Sequence, residues 1–208
     1  MNCISETASC DYIHDTVLEQ NPEIMLICGA TGSGKSTLSH TLAQRLKLPT
    51  LSLDSYFKDE NEMELVLPEY NIRQWDSPDC YKWDTLRSDL KKIFRDKFAR
   101  VPVFSHEKST QNGWRNLSLT NTPLIVEGLY SMNSVVLDTV KDLRLKALSV
   151  FLDISEEERW NRKYKRDVLE RNENPETLRI WFDQVIKPAE KKWINPQKII
   201  ADLLVSSD

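Results

Sequence analysis

At 208 residues the chain is sized for one domain, or one domain with a small appendage, and its 40% apolar content is enough for a core. With 28 basic against 32 acidic residues the net charge is −4, which argues against a nucleic-acid binder, and no apolar run approaches membrane-spanning length. Cys3, Cys10, Cys28 and Cys80 show no CxxC or zinc spacing and read as reduced thiols of a cytoplasmic protein.

Residues 1–22 contain Glu6, Asp11 and Asp15 and no long apolar run, so they do not read as a signal peptide. A frayed extension or a short helix is expected there, ahead of a domain over residues 23–208. EIMLIC, Glu23 to Cys28, is an apolar run suited to a buried strand. It leads into Gly29-Ala30-Thr31-Gly32-Ser33-Gly34-Lys35-Ser36 and Thr37, which fits G-x-x-x-x-G-K-[ST] without a gap. Glycines allow a tight turn in which several N–H groups point at one anion. Lys35 should reach the outer phosphates of a nucleoside triphosphate, and the Ser36 hydroxyl should ligate Mg²⁺. Behind the loop, Leu38, Leu42 and Leu46 share one helical face, so the loop should open a helix whose N-terminus favours negative charge.

PTLSLD, Pro49 to Asp54, looks like a second strand ending in an acid. Residues 55–82 lack periodicity and read as a loop with room for a short helix. WDTLRSDLKKIF is helical, with Asp84 as a cap and Leu86, Leu90 and Ile93 or Phe94 inward. ARVPVF and NLSLT flank a glycine-containing loop and read as a hairpin. PLIVEG is a buried strand ending in Glu127, MNSVVLDTV a short helix, and LKALSVFLD a strand. Ser155 and Glu158 form a capping box. Asn174-Pro175 starts a further helix with Leu178, Trp181, Phe182, Val185 and Ile186 on one face, and KIIADLLVS closes the sheet. Strands alternating with helices mean a layered α/β fold with a mainly parallel sheet.

Several classes share such a phosphate loop. No N-K-x-D follows a later strand and no D-x-x-G switch is present, which disfavours a GTPase. A motor or transporter ATPase usually has a longer chain and an acidic pair at a strand end, where LIVEG offers only Glu127. A small-molecule kinase needs a base near its acceptor, a lid of cations and modest size, and the chain supplies all three. A module that holds ATP without turning it over remains the non-enzyme alternative.

Asp54 is the base candidate, because open α/β sheets place ligands at the carboxyl ends of their strands. There a carboxylate can accept or orient the acceptor's hydroxyl proton. Read alone, an acid capping a turn is the commoner reading. The lid candidate is RWNRKYKRDVLER, roughly 159–174. Helical spacing puts Arg159, Arg162, Lys163 and Arg166 on one face and Trp160, Tyr164 and Val168 on another, expected to be the buried one. A cationic face is often only solvated surface, but phosphoryl transfer spreads negative charge that arginines stabilise.

The order of these motifs resembles the uridine kinase family, with its phosphoribulokinase and pantothenate kinase relatives, from about Glu23 to Val205. GATGSGKS is similar to the family's phosphate loop and LSLDSYFKD to its base segment. QWDSPDCYKWDTL is similar to its ribose-binding stretch, VPVFSHE to its acceptor hairpin, LIVEG to its Mg²⁺-site strand, and KRDVLER to its lid. The resemblance implies a three-layer P-loop NTPase-type fold with a β-hairpin acceptor region and a helical lid. It implies an ATP- and Mg²⁺-dependent kinase acting on a primary hydroxyl, of a nucleoside in the first place. Asp54 would be the base, Asp76 would bind the ribose, Glu127 would serve the metal with Ser36, and Arg166 and Arg171 would meet the phosphates. Tyr56, Phe104 and His106 would border the acceptor, with Arg162 and Lys163 nearby.

Three departures matter. Tyr56-Phe57 reverses the family's order, the histidine that reads the pyrimidine falls on Ser109 while His106 sits three positions earlier, and a base-contacting arginine is replaced by Glu173. Phosphate-handling positions are kept and base-reading positions are not, so uridine is not expected to be held in the family's manner. Other ribosides, pantothenate-like molecules or sugar phosphates are the alternatives. The expected partners are small molecules, with neither nucleic acid nor membrane, and a homo-oligomer is left open.

Overall fold

The computed structural model describes residues 2–207. Strand β1 (Asn2–Ser5) leads into helix α1 (Glu6–Gln20), and β2 (Ile24–Gly29) runs through the phosphate loop into α2 (Lys35–Leu46). Strand β3 (Thr50–Ser52) is followed by short turns and the small ribbon β4 (Leu65–Leu67) and β5 (Ile72–Arg73). Helix α3 (Trp83–Asp96) precedes the hairpin of β6 (Phe98–Ser105) and β7 (Thr110–Ser118). Then come β8 (Leu124–Glu127), α4 (Ser134–Asp142), β9 (Ala147–Asp153) and α5 (Glu156–Tyr164), which continues in wider π-type turns to Glu170. Helix α6 (Pro175–Trp181) opens a helical run lasting to residue 200, before β10 (Leu203–Ser206).

Six strands form one parallel sheet in the order β1-β10-β9-β2-β8-β3. Every residue of β2 is buried, as a strand covered on both faces requires. Its side chains alternate between two cores. Ile24, Leu26 and Cys28 join Leu86, Leu90, Ile93 and Val136 from α3 and α4. Met25 and Ile27 join Ile13 and Val17 of α1 and Leu38 and Leu42 of α2. The result is the three-layer α/β fold expected, with the loops after β2, β3 and β8 gathered at one end.

Four local expectations are corrected. Of the two N-terminal expectations the helix holds, as α1, and the frayed extension does not: β1 pairs with β10, so β10 is not the sheet's edge, and Ile13 and Val17 of α1 are buried. Weak amphipathic patterning hid this, because the short helix face uses only a few apolar residues. Gly113 lies within β7, where the register with β6 shifts, while the connection is residues 106–109. At a φ of +92° it occupies a bend that costs other residues more. Asp84 sits in the first turn of α3 and Lys82 holds the cap position. The Ser155 hydroxyl accepts from the Glu158 amide and donates to the Glu158 carboxylate, so only half of the capping box forms.

Candidate active site

The carboxyl ends of β2, β3 and β8 open into a cleft of about 850 Å³. Thr31, Gly32, Gly34, Lys35, Ser36 and Thr37 line it, whereas Gly29, Ala30 and Ser33 form the loop's inner layer. Gly34, at φ +93°, caps α2 in the left-handed conformation that glycine allows. A Cβ on Gly32 would fall 2.5 Å from the Arg159 carbonyl oxygen, so the loop's close approach to α5 excludes any side chain there. The Ser33 hydroxyl is buried with no hydrogen-bond partner.

Lys35 Nζ donates to the Ala30 carbonyl at 2.9 Å. Desolvation pushes its ammonium below the ordinary value, and the neighbouring Glu127 carboxylate opposes that. Ser36 Oγ donates to Glu127 Oε2 at 3.3 Å. Burial raises the Glu127 carboxyl, the Asp54 charge adds to it, and hydrogen bonds from Ser52 and Ser36 restrain it. One hydroxyl and one carboxylate fit Mg²⁺, which keeps waters and takes phosphate oxygens. Among the described residues no group of three or more His, Cys, Asp or Glu side chains could hold a metal alone. The loop's tight cradle and the Ser36–Glu127 pair therefore suit a nucleotide–Mg²⁺ complex better than an all-protein metal site.

Asp54 follows β3 in a tight turn and opens into the cleft, its side chain 40% exposed. The surrounding protein still raises its carboxyl by desolvation, with Lys35, Arg166 and Arg171 pulling the other way. Asp76 is buried, and desolvation pushes it up to about 6 despite Lys163 and a hydrogen bond from Trp181 Nε1 at 3.1 Å. Phe104 and His106, at the end of β6 and on the hairpin turn, also face the cleft.

Tyr56 does not. The turn after β3 aims its side chain toward α3, where the buried hydroxyl donates to Asp89 at 3.1 Å. Phe57 lines the cleft instead, stacked on Tyr81 at 4.7 Å and edge-on to Phe104 and Trp75 at 5.4 and 5.5 Å. The reversed order of the pair thus puts a hydroxyl-free ring on the cleft wall.

The lid helix is also turned from the expected orientation. Arg159 and Lys163 are buried, while Trp160, Tyr164 and Val168 are only half-buried. Arg159 grips Glu190 with two bonds of 2.6 and 3.0 Å and donates to the Thr31 carbonyl at 3.2 Å, so it is a strut between the phosphate loop and the 175–200 helical run. Trp160 packs on Phe182 at 5.0 Å under the Arg179 guanidinium. Arg162, Lys163, Arg166 and Arg171 face the cleft. Three of them converge on Asp167: Lys163 at 2.7 Å, Arg166 at 2.6 and 3.0 Å, and Arg171 at 3.4 Å. Burial would raise the Asp167 carboxyl, but the Arg166 hydrogen bonds and the Lys163 charge hold it at about 2.

Sequence reasoning missed Phe57, Trp75, Asp167 and Trp181 as cleft residues. Asp167 had a signal: it lies four residues after Lys163 and four before Arg171, spacing that brings opposite charges together on a helix. Trp181 was legible only as part of an apolar stripe. Its ring lies at one margin of that stripe, with Lys163 Nζ 4.6 Å from its centroid. Ser109 and Glu173 both line the cleft.

A family model described as "Phosphoribulokinase / Uridine kinase family" matches residues 24–207. The chain belongs to that family. It is 27% identical to a uridine kinase of Ureaplasma urealyticum over 191 residues, which is 89% of this chain and 88% of the relative. Its fold is similar to that of a candidate fructose transport system kinase from Silicibacter sp. TM1040, with a TM-score of 0.72, 18% identity, and 94% and 98% of the two chains covered. A structure described as a possible uridine kinase from Bacillus stearothermophilus gives 0.66 at 16% identity, over 94% and 96%. Family membership makes the chain a P-loop kinase, a nucleotide-binding transferase whose relatives act on small molecules. No helix among the described residues is long and apolar enough to cross a membrane.

Proposed function

We propose that this kinase transfers the γ-phosphate of ATP to a primary hydroxyl of a small molecule bearing a vicinal diol, with a ribonucleoside as the acceptor class that suits the cleft best. One observation carries the reading: a single cleft is lined by Lys35 and Ser36 on one side, by Asp54, and by Asp76 beside an aromatic wall of Phe57, Trp75 and Phe104. Mg²⁺, when bound, neutralises charge on the transferring phosphates, and Ser36 and Glu127 are the residues that would hold it. Lys35, Arg162, Arg166 and Arg171 attract the phosphate oxygens. Asp54 takes the proton of the attacking hydroxyl. Asp76, an acceptor-only carboxylate, receives hydrogen bonds from two sugar hydroxyls. The aromatic rings exclude water and stack on the acceptor's planar part.

A second reading, an acceptor other than uridine, is favoured by Ser109 and Glu173 at the cleft. Serine is too short to replace a histidine there, and glutamate presents acceptors where a pyrimidine carbonyl wants donors. Uridine is therefore expected to be a weaker acceptor than another hydroxylated molecule. ADP release, measured with ATP and Mg²⁺ over uridine, cytidine, other ribosides, pantothenate and sugar phosphates, tests both readings. Stimulation by at least one acceptor supports kinase activity. Release that no acceptor changes points to a nucleotide-binding regulator, and uridine or cytidine as the best acceptor at low KM defeats the second reading.

Asp76 gives a pH signature. Its carboxyl is raised from the ordinary 3.8 to about 6, so the acceptor KM should climb as pH falls below about 6 and the carboxylate is protonated. The same shift acts on stability in the opposite sense: ionisation is harder in the folded chain, so stability present below the unfolded pKa is lost as pH rises to about 6. Asp76→Asn is thus expected to raise the melting temperature near pH 7.5 but not near pH 4, while acceptor KM rises on the order of tenfold or more. A flat KM between pH 5 and about 7.5 in the parent enzyme would remove Asp76 from the acceptor site.

Arg166→Lys keeps the charge and loses the planar fork that grips two oxygens, here seen on Asp167. The turnover defect should exceed the ATP-binding defect, because the extra charge develops in the transition state. Equal losses in both would make Arg166 a ground-state binding group.

A further inference from the structure

The hairpin turn brings His106 Nε2 to 3.8 Å from Asp54 Oδ2. The ring is held edge-on by Phe104 at 5.5 Å and Phe57 at 6.3 Å, so its direction is set by packing. On its outer side His106 is open, with its side chain 54% exposed. It therefore bridges a carboxylate within the cleft and bulk solvent.

If Asp54 takes the acceptor's proton, it must shed that proton before the next turnover. The groups around it differ sharply in their ability to receive it. Lys35, Arg166 and Arg171 are cations. Glu127 accepts hydrogen bonds from Ser36 and Ser52 deeper in the site. Asp167 is held at about 2 by its three cationic partners. His106 is the neighbour of a different kind. Desolvation lowers its pKa, Arg171 and Arg166 of the lid lower it further, and Asp167 opposes them. The ring is thus a neutral base near pH 7 that releases a captured proton readily.

We propose that His106 is the proton exit of Asp54, an inference that rests on reading Asp54 as the base. The acceptor O–H bond breaks as the oxygen–phosphorus bond forms and the phosphorus–oxygen bond to ADP breaks. The proton goes to Asp54, crosses the 3.8 Å to His106 Nε2 through one bridging water or on closer approach of the ring, and leaves the imidazolium for water. No further reactant is needed.

His106→Ala is expected to lower kcat about tenfold at neutral pH with acceptor KM changed less than about twofold. Added imidazole should restore most of the turnover, and His106→Gln should show the same loss. A second readout needs no turnover: the chain has three histidines, and NMR titration of the His106 ring should give a pKa lower in Asp54→Asn, because a facing carboxylate that stabilises imidazolium is gone. A raised acceptor KM with unchanged kcat would make His106 an acceptor-reading group and overturn the proposal. So would absent imidazole rescue, or a ring pKa indifferent to Asp54. Normal kinetics in His106→Ala beside an inactive Asp54→Asn defeats this inference alone, whereas an active Asp54→Asn defeats the assignment of the base beneath it.

Discussion

Asp54→Asn is expected to lower turnover by roughly 10²–10⁴-fold while ATP binding is largely kept. The substitution retains the shape of the side chain and removes its ability to take a proton. Two features make the expectation large. Asp54 faces the cleft at the carboxyl end of β3, beside the phosphate loop and opposite the hairpin. Desolvation also raises its carboxyl, which strengthens it as a base, while Lys35, Arg166 and Arg171 pull the other way. Glu127 is the competitor for the role. Its bond to Ser36 Oγ and its position at the end of β8 set it beside the phosphate loop, where the proposed Mg²⁺ would be held. Glu127→Gln should therefore weaken Mg²⁺-dependent nucleotide binding along with turnover. Isothermal titration with ATP and Mg²⁺ separates the two, and an equal loss of affinity in Asp54→Asn would assign Asp54 to the metal or to structure.

Lys35→Ala is expected to lower turnover by on the order of 10²-fold or more. The ammonium is buried and lies at the start of α2, where loop amides and the helix terminus already favour an anion. Its ammonium donates to the Ala30 carbonyl, a neutral partner that a phosphate oxygen outcompetes. The measurement is steady-state turnover with saturating ATP and Mg²⁺, with circular dichroism to establish folding. Near-normal turnover in a folded Lys35→Ala protein would mean that the loop binds phosphates without assisting their transfer.

What could be read from the sequence depended on whether a local pattern carried the information. The phosphate loop was legible because its function lies in backbone shape, and glycine spacing reports backbone shape directly. The central strands were legible because EIMLIC and PLIVE are apolar throughout, as strands covered on both faces must be. Glu127 could be placed because it ends such a strand, whereas Asp54 lies in the turn just past the short edge strand β3, two residues beyond its end. The N-terminal strand was invisible, since β1 owes its place to pairing with β10, about 200 residues away. Tyr56 and Phe57 could not be ordered without the turn that follows β3. That single turn decides which ring meets Asp89 and which meets the cleft.

The lid misled for a physical reason. Helical periodicity predicted burial of Trp160, Tyr164 and Val168, yet the buried side chains include Arg159 and Lys163. Each has a carboxylate to receive it, Glu190 and Asp167, and a partner four or thirty-one residues distant is not marked by hydrophobic pattern. Paired charges can enter an interior from which unpaired ones are excluded. The cationic run is thus divided between structure, in Arg159, and the cleft, in Arg162, Arg166 and Arg171.

The central claim is that phosphate moves from ATP to a primary hydroxyl held at Asp54. Its most direct test is the product's ³¹P spectrum, taken with whichever acceptor in the panel stimulates ADP release most. The account predicts a phosphomonoester signal split into a triplet by the two protons of a CH₂–O group, absent when that hydroxyl is replaced by hydrogen. Inorganic phosphate as the sole phosphorus product besides ADP, or a doublet from a secondary alcohol, would contradict it.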